Sequence, residues 1–222
     1  MATQPGTRAP RPPSLTFGVL DADATSAFLD AEGDDLEEVD VVDVAVSELR
    51  WEIRRRLSDS RLRGLTCRTW KAPALTLINC RLEQLDVVAL SAPNAGWANT
   101  EVLTSRIGSV EAYDADLRQV AFTGCKLGYV NLREAILNDV SFTDCVIEDL
   151  DVSRAKATRV ALSGCRITRL ELGHSSLRDV DLRGAELADV TDPEGLRGAT
   201  ISPDQLFDLA PILAARLGLI VE

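Results

Sequence analysis

The residues able to do chemistry in this chain are one histidine, five cysteines and a regular series of carboxylates. His174 lies between Gly173 and Ser175, and no acid stands at a fixed spacing to orient it as a general base. The sequence has no phosphate-binding glycine loop, nucleophile elbow or Cys-x-x-Cys pair. We therefore expect no catalytic residue, no cofactor-binding residue, no cofactor and no enzyme activity.

The elements that must position these side chains follow a period of five. From Leu62 to Leu187 every fifth residue is apolar, and the residues two places earlier form a second, largely apolar series. A period of five matches neither a helix nor a plain strand. Positions two apart share one face of an extended segment. Each five-residue unit therefore points two side chains inward and uses the other three to lie outside and turn a corner.

A second period, of twenty, sets the length of one complete turn. The residues that recur at this spacing are Val120, Val140, Val160 and Val180, and likewise Phe122, Phe142, Leu162 and Leu182. Each side chain then stacks on a similar one in the next turn, so four five-residue units make one coil. The sequence predicts an all-β, quadrilateral parallel β-helix over residues 34–201, in which each coil contacts only its neighbours.

This pattern resembles the pentapeptide-repeat family, whose consensus is Ala-(Asp/Asn)-Leu-x-x. The segments that carry the resemblance are Ala115-Asp116-Leu117, Val130-Asn131-Leu132, Leu150-Asp151-Val152, Val180-Asp181-Leu182 and Ala185-Glu186-Leu187. The pattern covers well over half of the chain. The resemblance implies a right-handed solenoid. It also points to the family members that bind DNA gyrase and confer quinolone resistance, several of which resemble duplex DNA.

Three of the cysteines, Cys125, Cys145 and Cys165, are one coil apart. Stacked strands would hold their sulfurs about 4.8 Å apart, too far for a disulfide bond of about 2.05 Å. A metal site needs converging ligands, and no histidine is near them in sequence. We expect small buried apolar side chains and no metal.

Composition limits the partners of the chain. Its 222 residues, 45% of them hydrophobic, predict one domain of ordinary size. The net charge of −11 is concentrated at the start, since residues 1–59 carry 13 acids and 6 bases whereas residues 60–190 carry 17 and 16. We expect no direct nucleic-acid binding, no membrane span and, without the apolar segment of a secretory signal, a cytoplasmic location.

Residues 1–33 are predicted to form a disordered or irregular acidic N-terminal arm. Prolines and arginines dominate residues 1–14, which indicates a disordered leader. From Val39 the five-residue spacing returns one residue out of phase. We interpret residues 34–57 as an N-terminal coil with a one-residue slip near residues 53–56 that leaves residues 54–56, all arginines, at an outer corner. A short helix over Ser47–Ser58 is the alternative.

The C-terminal residues 202–222 are predicted to form a helical cap. Ser202, Pro203 and Gln205 make a helix start. Pro211 is expected to split the segment into two short helices, and Gly218 to end it. The apolar residues expected to cover the end of the solenoid, to bind a second copy, or both, are Leu206, Phe207, Leu209, Leu213 and Leu217. A homodimer through this segment is what the resemblance implies.

Two outer faces are candidate partner-binding surfaces. The acidic face consists of Glu111, Asp114, Glu134, Asp151 and Glu171. The flat, small-residue face includes Thr123, Ser141, Thr143 and Ser163. We expect a protein-interaction scaffold that uses the flat face for an unknown protein partner. The alternative is a DNA mimic that binds gyrase through the acidic face and protects it from inhibitors, and an enzyme that positions substrate on the solenoid is the third and most distant option.

Overall fold

The computed structural model describes residues 6–33 and 35–220. The predicted start of the solenoid at Asp34, the first five residues of the predicted leader, and residues 221–222 of the apolar tail lie outside the described residues. Within the described part, the chain forms nineteen strands, two α-helices and one 3-10 helix. None of the helices described is both long and apolar enough to cross a membrane.

The strands follow one another with short turns between them. In chain order, the first ten are β1 (Leu36–Glu37), β2 (Asp40–Val42), β3 (Ala45–Arg50), β4 (Arg56–Ser58), β5 (Arg61–Arg63), β6 (Thr66–Lys71), β7 (Thr76–Glu83), β8 (Asp86–Ser91), β9 (Gly96–Leu103) and β10 (Arg106–Glu111). The others are β11 (Asp116–Thr123), β12 (Lys126–Asn131), β13 (Ile136–Thr143), β14 (Val146–Asp151), β15 (Lys156–Ser163), β16 (Arg166–Glu171), β17 (Ser176–Asp181), β18 (Glu186–Thr191) and β19 (Ala199–Thr200). The helices are α1 (Thr25–Leu29), the 3-10 helix Pro193–Leu196 and α2 (Pro203–Arg216).

The strands pair into two parallel sheets that wind together as a β-solenoid. One sheet has eleven strands and the other has eight, β18-β16-β14-β12-β10-β8-β6-β3, which mark about eight coils in the described part of the chain. Val140 pairs with Val120 on one side and with Val160 on the other. The predicted twenty-residue coil is therefore confirmed, and its two inward positions form one continuous core.

The first coil contains one extra residue. Ala45 pairs with Thr66, an offset of twenty-one, whereas Arg56 pairs with Thr76, an offset of twenty. The N-terminal coil and its slip are confirmed. The alternative helix over Ser47–Ser58 is wrong, because the strands of this segment form their backbone hydrogen bonds with the neighbouring coil.

Arg55 does not lie at the predicted outer corner. It occupies an inward-facing position and is buried, whereas Arg54 and Arg56 on either side are exposed. Its guanidinium donates hydrogen bonds to the carbonyl oxygens of Asp30 at 2.6 Å and Ala27 at 2.7 Å. The prediction for Arg55 was wrong because backbone carbonyls from the preceding segment satisfy its donors inside the solenoid.

Aromatic residues close the N-terminal end of the core. Phe28, in the short helix α1, is fully buried and meets Trp51 edge to face with ring centroids 5.4 Å apart. The Trp51 Nε1 donates to the Phe28 carbonyl oxygen at 3.0 Å, and the Arg55 guanidinium lies 4.7 Å from the Trp51 ring centroid. Sequence reasoning missed α1 because five residues are too short to show a helical period.

The helix α2 closes the C-terminal end. Gln205 takes part in a capping box with Ser202, and its side-chain amide donates to the Leu182 carbonyl at 2.5 Å and to the Ala185 carbonyl at 2.7 Å. The amide thus replaces the next coil as a partner for these strand-edge oxygens. The predicted break at Pro211 is wrong, since α2 runs unbroken through that residue.

The cysteines face inward as predicted. Cys125, Cys145 and Cys165 are buried, and the thiol of each donates to the carbonyl oxygen two residues earlier at 3.4–3.6 Å. Burial raises the pKa of Cys67 to about 11 and that of Cys80 to about 12, so both thiols are protonated at neutral pH. No group of three or more His, Cys, Asp or Glu within residues 6–33 and 35–220 is arranged to hold a metal ion.

Substitutions at Phe142, which stacks on Phe122, test whether equivalent side chains of successive coils pack on one another in the core. The Phe122 and Phe142 rings are parallel, with centroids 4.6 Å apart. We expect Phe142→Ala to lower the free energy of unfolding by about 3–5 kcal/mol, because the large cavity cannot collapse between fixed coils. Phe142→Leu should cost clearly less, since Leu162 already fills this position in the next coil. Urea unfolding followed by circular dichroism measures both, and equal losses would contradict the packing described.

Candidate interaction surfaces

The predicted acidic face is a true column of the solenoid. Glu111, Asn131, Asp151 and Glu171 occupy the same position in four successive coils. Asp114 and Glu134 lie at the adjoining corner, where both have a positive φ. Asp151 is buried and Glu171 half-buried, whereas Asp114 and Glu134 are exposed. The five acids share one side of the molecule, but they do not form a uniformly exposed band.

Basic and amide side chains compensate much of this negative charge. The pairs are Arg154 Nη1 with Glu134 Oε1 at 3.1 Å, Arg133 Nε with Asp151 Oδ2 at 3.7 Å, and the Asn131 amide with Glu111 Oε2 at 2.6 Å. The two ion pairs, with Tyr113 and His174, line a shallow groove of about 530 Å³. The surface is thus of mixed charge. Sequence reasoning missed the contact of the Asn131 amide with Glu111, which their twenty-residue offset would have shown.

Glu171 itself has no ion pair among the described residues, although the neighbouring Asp151 and Asp149 pair with Arg133 and Arg169. Partial burial, followed by the nearby carboxylates of Asp151 and Asp149, raises the pKa of Glu171 above its usual value. Arg169 and Arg133 oppose this effect without cancelling it. The folded environment therefore disfavours the charged form of Glu171 relative to the unfolded chain.

The predicted flat face is also formed as a pair of columns. Ala121, Ser141 and Ala161 make one column, and Thr123, Thr143 and Ser163 make the other. Thr123 and Ser163 are exposed, and Ser141 and Thr143 are half-buried. We call these six residues the flat patch.

Ion pairs border the flat patch along the solenoid axis. Glu101, in register with Ala121, pairs with Arg81 at 2.9 Å. Asp181, in register with Ala161, pairs with Arg183 at 2.6 Å. An uncharged surface two columns wide thus lies between two charged borders.

The N-terminal arm forms a third surface that sequence reasoning missed. Its residues 7–17, within the stretch that composition alone predicts to be disordered, lie extended along the solenoid. Three backbone N–H groups of the arm donate to side chains of one corner column: Arg8 to Asp179 Oδ1 at 3.2 Å, Arg11 to Asp139 Oδ1 at 2.9 Å and Ser14 to Asn99 Oδ1 at 2.6 Å. We call Asn79, Asn99, Asp139 and Asp179 the docking ladder.

The predicted cap and dimer residues separate into two groups. Leu209 is buried and Leu213 is partly buried against the core. Leu206, Phe207 and Leu217 are 52%, 77% and 74% exposed. The helix α2 therefore uses one face to cover the solenoid and presents a second apolar face outward.

Comparison with known protein families identifies part of the chain. Residues 115–191, which contain β11 to β18, match the family profile described as "Pentapeptide repeat region". The chain carries a pentapeptide-repeat region. The same twenty-residue coil extends beyond the matched residues toward the N-terminus, where Thr66 still pairs with Asp86. A search of curated protein sequences finds no significant match.

Three solved structures show limited likeness to this chain. A trypsin-treated variant of QnrB1, a plasmid-mediated fluoroquinolone resistance protein, is 20% identical, with a TM-score of 0.40, covering 88% of this chain and 93% of that one. Full-length QnrB1 is 17% identical, with a TM-score of 0.32, covering 83% and 100%. HetL, from the cyanobacterium Nostoc sp. strain PCC 7120, is 17% identical, with a TM-score of 0.23, covering 79% and 92%.

The environment of Glu171 in the pentapeptide-repeat region predicts a pH-dependent stability. Because the pKa of Glu171 is raised on folding, its charge destabilises the fold at neutral pH, and protonation removes this cost as the pH falls through the raised value. We expect Glu171→Gln to raise the melting temperature at pH 7 and to lose this advantage in acid.

Thermal unfolding from pH 4 to pH 8 measures the effect. Glu134→Gln is the matched control, because Glu134 pairs with Arg154 on the exposed surface and should change stability little. A Glu171→Gln protein that is less stable than wild type at pH 7 would contradict the analysis.

Proposed function

We propose that this chain is a non-enzymatic protein-interaction scaffold whose partner-binding surface is the flat patch. The observation that supports it is an uncharged surface of small side chains bordered by the Arg81–Glu101 and Asp181–Arg183 pairs. The centres of protein interfaces are depleted in charged residues. A partner can cover this patch without removing a charge from water, while the bordering ion pairs supply a polar rim.

The rigidity of the solenoid supports the same proposal. Thr123 and Thr143 lie on adjacent parallel strands, which fixes their spacing at about 4.8 Å. A surface whose backbone is held on both sides loses little conformational freedom when a partner binds.

Arginine substitutions within the patch test the scaffold. We expect Thr123→Arg with Thr143→Arg to abolish capture of the partners that the wild-type chain retains from a native lysate, because two charges would be buried at the contact. The control is Thr168→Arg, at an exposed position of β16 in the other sheet. Retention of the same proteins by the double variant, or their loss from the control, would overturn the assignment of the patch.

Self-association through α2 is the second part of the proposal. Phe207 in α2 and Leu217 at its C-terminal cap are both exposed, and the exposed Leu219 and Ile220 follow directly. Exposed apolar surface of this extent is typical of protein contacts. A second copy offers the same surface, and a twofold axis would bring the two helices face to face.

Charge introduced on this surface tests the dimer. We expect the wild-type chain to sediment as a dimer at micromolar concentration and Phe207→Asp with Leu217→Asp to sediment as a monomer. Val88→Asp, at a valine that is 60% exposed on β8, should remain dimeric. A wild-type chain that is monomeric throughout the micromolar range would end this part of the proposal.

The alternative is a DNA mimic that binds gyrase through the acidic face. The carboxylates of Asp151 and Asp149 close to Glu171 favour it, because they place several negative charges on one side of the solenoid. The ion pairs of Arg154 and Arg133 with the acids of this face count against it, because duplex DNA presents an unbroken series of negative charges. The flat patch therefore carries the proposed function.

A further inference from the structure

The burial pattern of residues 7–14 in the N-terminal arm has the three-residue period of a polyproline II helix. A polyproline II helix has three residues per turn and rises about 3.1 Å per residue. Along the arm, Thr7, Pro10 and Pro13 are half-buried, whereas Arg8, Arg11 and Ser14 present their side chains to solvent. From Thr7 to Pro13 every third residue thus faces the solenoid, and Leu15 and Phe17 follow as half-buried residues. The arm has no backbone hydrogen bonds of its own among those the structure describes.

The repeat of the arm is commensurate with the repeat of the solenoid. Arg11 and Ser14 are three residues apart, and their acceptors Asp139 and Asn99 are two coils apart. Three residues of polyproline II span about 9.3 Å, and two coils span about 9.6 Å. The same step leads from Arg11 to Arg8, whose acceptor Asp179 lies two coils further on. A regular extended peptide can therefore bind many coils without strain.

The prolines stand only where no N–H is needed. Pro10, Pro12 and Pro13 lie between the donors Arg8, Arg11 and Ser14. A proline lacks an N–H, so one at a donor position would remove a contact, whereas one between donors fixes the extended conformation. The arm thus has both the conformation and the donor spacing that the docking ladder accepts.

The docking ladder arises from the corner conformation of the coils. Asn79, Asn99, Asp139 and Asp179 have φ values of 54°, 49°, 58° and 55°, a left-handed conformation that asparagine and aspartate adopt more readily than most residues. Their side chains point away from the core as acceptors. Asparagine also supplies a donor, since the Asn99 amide gives a hydrogen bond to the Ser14 carbonyl at 3.0 Å and the Asn79 amide gives one to the Thr16 carbonyl at 2.9 Å.

A second interaction fixes the acceptor at the centre of the ladder. Arg159, one coil away, donates to both carboxylate oxygens of Asp139 at 2.6 and 2.7 Å. This hydrogen bond, reinforced by that from the Arg11 backbone, holds the pKa of Asp139 below its usual value despite burial. The carboxylate is therefore ionised and oriented at neutral pH, and hydrogen bonds to a charged acceptor are the stronger kind.

We propose that the docking ladder is a binding site for proline-rich peptides in the polyproline II conformation that carry a free backbone N–H at every third residue. The N-terminal arm of the chain is its intramolecular occupant. A peptide with the arm's sequence binds the same site in trans when the arm is released. Recognition rests on backbone groups, because the arm side chains of Arg8, Arg11 and Ser14 are exposed.

Two full-length variants of the arm separate backbone recognition from side-chain recognition. The first carries Arg8→Pro, Arg11→Pro and Ser14→Pro, which keeps the extended conformation and removes the three N–H donors. The second carries Arg8→Ala, Arg11→Ala and Ser14→Ala, which removes the same side chains and keeps the donors. Both sets of changes lie outside the solenoid, and thermal unfolding of each verifies that the coils are intact.

A fluorescent peptide with the sequence of residues 6–18, followed by fluorescence anisotropy, measures access to the ladder. We expect the proline variant to bind it at least tenfold more tightly than the wild type or the alanine variant, whose own arms compete. N-methylation of the peptide at the Arg11 nitrogen should weaken binding to the proline variant at least tenfold, as should Asp139→Ala in that variant.

Two results would overturn the proposal. In one, the proline variant binds the peptide no better than wild type, so that the ladder is no peptide site. In the other, the alanine variant binds it as well as the proline variant does, so that side chains rather than backbone donors hold the arm.

Discussion

Equal coil length is the constraint on which the rest of the structure depends. Parallel strands of successive coils exchange backbone hydrogen bonds only if each coil returns to the same point after the same number of residues, as the Val120, Val140 and Val160 register shows. A slip of one residue would turn inward side chains outward. The chain tolerates two such departures. One extra residue is absorbed at a corner between β3 and β4, and one residue fewer separates β17 from β19, where Val180 pairs with Ala199. Every surface column described above follows from this register.

The sequence predicted the structure of the repeating coils, whose strands share one register, but not the structure of the non-repeating segments. The inward positions could be predicted from spacing alone, because stacking places the same type of residue at the same point of each coil. The two ends could not. Arg55 is buried by carbonyls from a non-repeating segment, and Pro211 stays within α2, where Leu209 before it and Leu213 after it pack on the core. Such contacts join segments with no common period.

The surfaces show the same division. Their columns could be assigned from the twenty-residue offset, and the pairing of Glu134 with Arg154 was available from the same offset. The position of the N-terminal arm could not be predicted from the sequence, because a proline-rich composition is shared by disordered segments and by bound polyproline II helices. The usable signal was the recurrence of Asn99, Asp139 and Asp179 at forty-residue steps, which becomes meaningful only once those residues are known to face outward.

The length of the N-terminal arm matches the number of coils in the solenoid. It begins beside Thr200, which the Thr7 hydroxyl contacts, and ends with the Phe17 ring 5.8 Å from the Arg61 guanidinium near the opposite end. A chain that gained or lost one coil by recombination between repeats would keep its core intact. Its arm would be about 4.8 Å too short or too long, about one and a half residues out of phase with its acceptors. A segment outside the helices and strands thus gives an indefinitely extendable architecture a preferred length.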